Sequence, residues 1–165
     1  MKNLLLALLV VCFGRVSGQN LSYKDSMKHY IDDYVLQHEV VKGEDKKLLH
    51  FYPVDTKYRI WAKFHKIDNS QWFQMPTSGK LKKLYKVYGN VSFELDGKEC
   101  RLTIYQSQDL MQNPEYKDYL FLPFTDATSG KETYEAGRYI DLRLSDIQLD
   151  HIQIDFNKAY NPYCA

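Results

Sequence analysis

The sequence predicts a mainly β fold, a single antiparallel β-sandwich or barrel-like domain with one N-terminal helix. Three observations carry this prediction. Apolar and polar residues alternate in several short segments, which is the pattern of half-buried strands. Asp96-Gly97 separates two such segments, and this dipeptide favours the positive φ angles of a two-residue hairpin turn. Helical periodicity, in place of alternation, marks residues 22–41 near the N-terminus.

The helical segment carries one apolar face, as expected for a helix that packs on a sheet or covers the end of a barrel. Ser22, with Asp25 on the next turn, resembles a capping box at the helix start, and Gly43 is placed to end the helix. Side chains at helical spacings form the expected face: Tyr23, Met27, Tyr30, Ile31, Tyr34, His38 and Val41.

Strand signals run through the rest of the chain. Tyr58 to Phe64 alternates, and the clearest hairpin extends from Val91 to Tyr105 around its Asp-Gly turn. Tyr119 to Phe124 is almost continuously apolar, so we expect a central strand buried on both faces. Further strands are expected at residues 71–75, 81–88, 138–144 and 147–156, and 81–88 could instead form one helical turn.

The first eighteen residues have the layout of a secretory signal. A lysine precedes an apolar core from Leu4 to Phe13, and small residues lead up to a cleavage position at Gly18-Gln19. This core is too short for a transmembrane anchor, which needs about 20 residues. We therefore expect residues 1–18 to be a signal peptide and residues 19–165 to form one exported domain, periplasmic or secreted.

The cysteines leave two questions. Cys12 lies in the apolar run, as in a bacterial lipoprotein, but Val11 before it is bulky where lipidation requires a small residue. We therefore expect a soluble exported protein without a lipid anchor. Removal of the signal leaves Cys100 and Cys164, which could pair in an oxidising compartment. Alternatively, Cys100 is a buried thiol on a strand.

The charge balance argues against a polyanionic partner. The whole chain has 22 basic and 21 acidic side chains. Removal of residues 1–18 takes away two basic ones, which leaves 20 against 21 and a net charge of −1. Such a balance gives no field that attracts nucleic acid, so we expect no nucleic-acid partner.

Arg138 is the most informative polar residue. The expected strand places it on the same face as Ile140 and Leu142, which is an apolar face. An inward Arg is costly unless it is paired, and Asp126 and Asp155 are the candidate carboxylates. Three interpretations stay open: a structural ion pair, an Arg that clamps an anionic ligand, and an exposed Arg.

A second polar run surrounds Asp155. Asn157 and Asn161 either shape a tight turn or belong to a site, in which Asp155 would be a general base and Tyr160 or Tyr134 a proton donor. The two runs together predict one polar pocket, formed by Asp126, Thr128, Arg138, Asp155, Asn157 and Tyr160. The histidines show no metal-ligand spacing, so we predict no metal among them and assign no cofactor.

Four segments resemble one family. LFLPFTDATSGKETYEAGRYIDL (120–142) and IDFNKAYNPYCA (154–165) are long and specific motifs, and residues 50–64 and 88–106 add to them. The chain resembles the bacterial domain-of-unknown-function family 1684. The resemblance implies a mainly β, often exported bacterial protein, and it brings no established activity, cofactor or catalytic residue.

The resemblance also implies a difference at the C-terminus. Family members continue through a second Cys-Pro segment and a final strand that ends in an AGEK-like sequence, whereas this sequence ends at Ala165. We therefore expect a C-terminal segment of the family domain to be missing. Its absence would leave Cys164 without a nearby partner, whether the pair forms a disulfide or holds a metal.

These observations lead to three functional hypotheses. The first is a binding module for a small polar, anionic ligand. The second is a hydrolase-like enzyme that uses Asp155 as a base and Arg138 to stabilise developing negative charge. The third is a structural or interaction domain of the cell envelope. The sequence does not decide whether the protein is an enzyme.

Overall fold

The computed structural model describes residues 22–76 and 82–162. Its strands are β1 (Arg59–Lys66), β2 (Phe73–Gln74), β3 (Leu84–Leu95), β4 (Lys98–Ser107), β5 (Tyr119–Phe124), β6 (Arg138–Arg143), β7 (Ile147–Gln148) and β8 (His151–Asp155). Within these residues all eight strands belong to one antiparallel sheet, in the order β6-β5-β4-β3-β1-β8-β7, with β2 paired to β3 beside this path. The α-helices are α1 (Tyr23–Gln37) and α2 (Gln108–Gln112), and short 3-10 helices occupy Gly43–Leu48, Thr56–Tyr58, Leu144–Asp146 and Phe156–Lys158.

Some expected features lie outside the described residues. These are the signal peptide (residues 1–18), its cleavage position at Gly18-Gln19, and Cys164. The start of the strand expected at 81–88 is also outside, and the rest of it belongs to β3. In the part of the chain that the structure covers, no helix is long and apolar enough to cross a bilayer.

The sheet curls so that the segment after β8 reaches β6, the first strand of the order. Tyr160, shortly after β8, pairs with Tyr139 in β6, the first strand of the order. The amide of Tyr139 donates to the carbonyl of Tyr160 over 2.9 Å, and the reverse bond measures 3.1 Å. The main chain therefore joins β6, at one end of the sheet, to the segment that leaves β8, the strand next to the other end. The prediction of a mainly β, antiparallel, barrel-like fold with one N-terminal helix is confirmed.

The core fills the inner face of this curled sheet. Strand β5 alternates between buried and half-buried residues, with Leu120, Leu122 and Phe124 inside. The expectation that β5 is buried on both faces was therefore wrong, because its outer side chains are only half-buried. The other strands supply the rest of the core, chiefly Ala62, Phe64, Val91, Phe93, Ile104, Ile140, Leu142, Ile152 and Ile154.

Helix α1 packs with the predicted face inward. Its N-cap is Ser22, whose hydroxyl accepts the Asp25 amide over 3.2 Å. All seven residues of the predicted face are buried or half-buried. The predicted end was wrong, because the helix stops at Gln37. The His38 Nδ1 accepts the amide of Val41 over 3.0 Å, which folds the chain back before Gly43 is reached.

The β3–β4 hairpin was predicted from the sequence, whereas the β7–β8 hairpin was not. The turn at Asp96 and Gly97, with φ angles of 50° and 73°, confirms the predicted hairpin. The single strand expected at 147–156 was wrong, because Leu149 adopts a φ of 58° and splits the segment into β7 and β8. The sequence gives no sign of this turn, because Leu rarely adopts a positive φ and the residues on both sides of Leu149 alternate as in one continuous strand.

Gly137 determines how the chain enters β6. Its φ of 102° is a conformation that only glycine adopts readily. A Cβ atom at this position would lie 2.3 Å from the carbonyl oxygen of Phe124, so a side chain would also displace the neighbouring strand β5. The glycine thus allows the close approach that brings Arg138 to the start of β6.

We expect Gly137→Ala to lower the free energy of unfolding by about 2–4 kcal/mol, because it adds both backbone strain and a main-chain clash. Gly97→Ala is the matched control, since Gly97 also has a positive φ but has open space around it. The control should lose only about 1 kcal/mol. Urea unfolding of both variants measures the difference, and equal losses would contradict the role given to the Phe124 contact.

Candidate functional site

The predicted site residues lie in three hydrogen-bonded groups around the segment that follows β8. The Arg138 group consists of Arg138, Asp126, Thr128 and Thr133. The Asp155 group consists of Asp155, Asn157, Tyr23 and Asp55. The Asp141 group consists of Asp141, Tyr119 and Tyr160.

The Arg138 group begins with a loop that bonds to itself. Asp126 Oδ1 accepts the amide of Thr128 over 2.8 Å and also accepts its hydroxyl. Ser129 Oγ accepts the amide of Asp126 over 3.1 Å. The short side chains of this loop thus bond the loop's own backbone, as is typical of Asp, Ser and Thr in turns. These bonds within the loop orient the Asp126 carboxylate independently of Arg138.

Arg138 enters the group from the inner face of the sheet. It is directly opposite Phe124 in the β5–β6 register, as its predicted inward direction requires. One Nη2 hydrogen bond of 2.6 Å reaches Asp126 Oδ2, so Asp126 is the partner and Asp155 is not. The guanidinium carbon lies 5.2 Å from the ring centre of Phe124 and 5.3 Å from that of Tyr52.

Asp126 is ionised in this group, and the Arg138 side chain is partly exposed to solvent. Partial burial raises the pKa of Asp126, but the hydrogen bonds from Thr128 and the pairing with Arg138 outweigh burial and hold that pKa below its usual value. Asp126 is therefore ionised at neutral pH. The Arg138 side chain remains 13% exposed, and among residues 22–76 and 82–162 its other N–H donors have no hydrogen-bond acceptor.

The Asp155 group is buried and fully engaged. Asp155 is 8% exposed and accepts three hydrogen bonds: one from the Tyr23 hydroxyl, which lies 3.0 Å from both carboxylate oxygens, and two of 3.1 and 2.9 Å from the amide and side chain of Asn157. The Asn157 side chain also bonds the main chain of Asp55 in both directions, at 2.9 and 3.0 Å. The group thus fastens α1, the β1 approach and the C-terminal segment together.

Tyr23 is the member of this group that sequence reasoning missed. Burial, followed by the hydrogen bond and charge of Asp155, raises the pKa of Tyr23, so its hydroxyl stays protonated and acts as the donor. Its position on the apolar helix face was recognised, but its hydroxyl contact spans most of the chain. No local pattern relates Tyr23 to Asp155.

The Asp141 group lies on the outer face of β6. The hydroxyl of Tyr160 donates to Asp141 Oδ1 over 2.6 Å, and the hydroxyl of Tyr119 donates to the same oxygen. Sequence reasoning included Tyr160 and missed Asp141 and Tyr119. The available signal was alternation, since Asp141 stands between inward-facing Ile140 and Leu142.

The structure therefore unites the predicted residues only partly. Asp126, Thr128 and Arg138 come together, whereas Asp155 and Asn157 form another group and Tyr160 belongs to a third. Tyr134, the other expected proton donor, meets the second polar run through its amide, which lies 3.4 Å from Asn161 Oδ1. Among the described residues, no side-chain hydrogen bond connects one group with another.

Surface depressions occur elsewhere on the sheet. One of about 380 Å³ lies between β1, β3 and β7, and another of about 530 Å³ lies on β1, β3 and β4. Neither is lined by any of the six predicted site residues. Within residues 22–76 and 82–162, no group of three or more His, Cys, Asp or Glu is arranged for a metal ion. Cys100 is a half-buried free thiol of this part of the chain.

These features define a curled antiparallel β protein with an ion-paired polar loop at the start of β6. Residues 45–165 match the family described as "Protein of unknown function (DUF1684)", which is most of the chain. The chain belongs to this family, and the predicted resemblance is confirmed.

A solved structure gives the same picture of the fold. It is the solution NMR structure of an uncharacterized protein from gene locus rrnAC0354 of Haloarcula marismortui, with 26% sequence identity and a TM-score of 0.63. The similarity covers 84% of this chain and 78% of that protein. Comparison with curated protein sequences gives no significant match. The description of the neighbour names no activity.

We expect Tyr23→Phe to lower the free energy of unfolding by about 1–3 kcal/mol, because it leaves the buried Asp155 carboxylate short of a donor. Tyr52→Phe is the matched control, since the Tyr52 hydroxyl bonds an exposed Glu132 at the surface. The control should change stability by less than about 0.5 kcal/mol. Chemical denaturation measures both, and an equally small loss for Tyr23→Phe would contradict a fastening role for the Asp155 group.

Proposed function

We propose that this protein is a binding module for a small polar, anionic ligand, with Arg138 as the residue that contacts the anion. The supporting observation is the incomplete pairing of its guanidinium. Asp126 takes one N–H at 2.6 Å, and the remaining donors have no acceptor among the described residues. A carboxylate or phosphate group matches the forked geometry of such donors.

The surroundings of Arg138 favour binding over a purely structural role. The rings of Phe124 and Tyr52 and the carboxylate of Asp126 hold the guanidinium in place, so little side-chain entropy remains to be lost on binding. Tyr52 is 45% exposed, which places one wall of this arrangement at the surface. An anion that approaches there would meet an oriented cation in partly desolvated surroundings, where charge-assisted hydrogen bonds are strong.

The hydrolase hypothesis receives less support. A general base must accept a proton from a substrate or from water, and it therefore needs a free oxygen within reach. Asp155 is buried, and its carboxylate already accepts bonds from Tyr23 and Asn157. The positive charge of Arg138 is also paired with Asp126 and is not in contact with Asp155. A structural or interaction role in the envelope has no observation that favours it over binding.

We also propose that the protein is exported to the periplasm or the medium of a bacterial cell, because residues 1–18 have the layout of a signal peptide. Expression with these residues present should yield, outside the cytoplasm, a protein whose first residue is Gln19. Mass spectrometry of the recovered chain measures this. Retention of residues 1–18 on a protein confined to the cytoplasm would contradict export.

The binding proposal predicts that a screen of small carboxylates and phosphates finds a ligand that raises the melting temperature. At about 100 times its Kd, a ligand stabilises the folded state by roughly 2.7 kcal/mol. Arg138→Lys keeps the positive charge and removes the planar fork, so most of this stabilisation should be lost.

Arg101→Lys is the matched control, because Arg101 pairs with Glu99 on the exposed surface of β4. It should respond to the ligand as the unmodified protein does. The melting temperature of Arg138→Lys without ligand shows whether the variant is folded. The proposal is contradicted if no anion in the screen stabilises the protein, or if Arg138→Lys responds as strongly as the control.

A further inference from the structure

Only one of the two carboxylate oxygens of Asp141 accepts hydrogen bonds from the described residues. The hydroxyls of Tyr119 and Tyr160 both donate to Oδ1. Among the described residues, no donor reaches Oδ2, and Asp141 is exposed to solvent. The hydroxyls of two half-buried tyrosines thus orient the carboxylate and leave one oxygen as an open acceptor.

Two cations near this face bond groups other than Asp141, and the guanidinium carbon of Arg143 lies 5.8 Å from the ring centre of Tyr119. Arg143 shares the outer face of β6, but its Nη1 donates to Asp118 at 2.8 Å and to the Glu115 carbonyl at 3.1 Å. Lys158 places its ammonium 5.2 Å from the ring centre of Tyr30. Within residues 22–76 and 82–162, no Lys, Arg or His forms an ion pair with Asp141. Its negative charge therefore has no direct ion-pair partner in this part of the chain.

Aromatic rings flank this charge on the same face of the sheet. Phe121 is directly opposite Asp141 in the β5–β6 register. The ring of Tyr139 lies 4.7 Å from that of Phe121 and 6.0 Å from that of Tyr160, in edge-to-face arrangements. The main-chain bridge between Tyr139 and Tyr160 fixes these two rings relative to each other. Ring faces attract cations, and more strongly where water is partly excluded.

The two tyrosine hydroxyls beside Asp141 stay protonated. Burial raises the pKa of both Tyr119 and Tyr160, and the Asp141 charge raises them further, so both remain neutral donors. Burial, then the charges of Asp141 and Asp155, also raises the pKa of Tyr30 to about 12. The negative potential of the carboxylate thus extends to the underside of α1.

We propose that the outer face of β5 and β6 carries a binding site for a small alkylammonium group, built on Asp141 and the rings of Tyr139 and Tyr160. The ammonium N–H donates to Asp141 Oδ2, and its alkyl groups lie against the rings. This site does not rest on the anion site, because alternation along β6 places Arg138 on the inner face and Asp141 on the outer face.

Titration with trimethylammonium chloride, compared with sodium chloride at the same ionic strength, tests the site. The ring signals of ¹³C-labelled tyrosine in NMR spectra report it. We expect Tyr119 and Tyr160 to shift and to saturate with trimethylammonium alone. Asp141→Asn keeps the oxygen that accepts both hydroxyls and removes the charge, so affinity should fall about tenfold or more. Asp96→Asn, in the exposed hairpin turn, is the charge-matched control and should bind unchanged.

Tetramethylammonium provides the second measurement, because it is a cation without an N–H. On the unmodified protein it should bind more weakly than trimethylammonium, and this comparison decides the question even if Asp141→Asn fails to fold. The proposal is overturned by shifts that rise without saturation, by shifts that sodium chloride reproduces, by equal affinities for the two ammonium ions, or by undiminished binding to a folded Asp141→Asn.

Discussion

The backbone pairing of Tyr139 with Tyr160 is the constraint on which the rest of the structure depends. It joins β6, at one end of the sheet, to the segment that leaves β8 near the other end. A curled sheet without this connection would have an open edge along β6, with unpaired main-chain groups. The same connection brings the C-terminal segment beside β6, so the Asp155, Asp141 and Arg138 groups all lie around one short piece of chain.

The three groups consist of similar residues but differ in burial and in how many of their hydrogen-bonding atoms are used. The Asp155 carboxylate is buried and accepts three hydrogen bonds, as expected for a group that holds elements together. Arg138 and Asp141 each keep unused hydrogen-bonding capacity at a partly accessible position. Unused capacity that is held in a fixed direction is what a binding site requires, because the ordering cost is met before the ligand arrives.

Local patterns in the sequence predicted much of the fold. Alternation located β1 and the β3–β4 hairpin, a continuous apolar run located β5, and helical spacing identified the buried face of α1. The inward direction of Arg138 followed from the same period. Contacts between distant segments could not be predicted in this way: the bond of Tyr23 to Asp155, and the choice of Asp126 as the partner of Arg138, depend on how the sheet curls. Asp141 was missed because a lone outward Asp on a strand is ordinarily a solvated residue.

The central claim is that Arg138 is held by Asp126 and offers its remaining donors to an anion. The most direct measurement is a ¹⁵N–¹H NMR spectrum of the arginine side chains, recorded with and without an anion that stabilises the protein. We expect the Arg138 guanidinium signals to shift and saturate with the ligand, while those of Arg101 stay unchanged. Saturable binding that leaves the Arg138 signals in place would contradict the central claim.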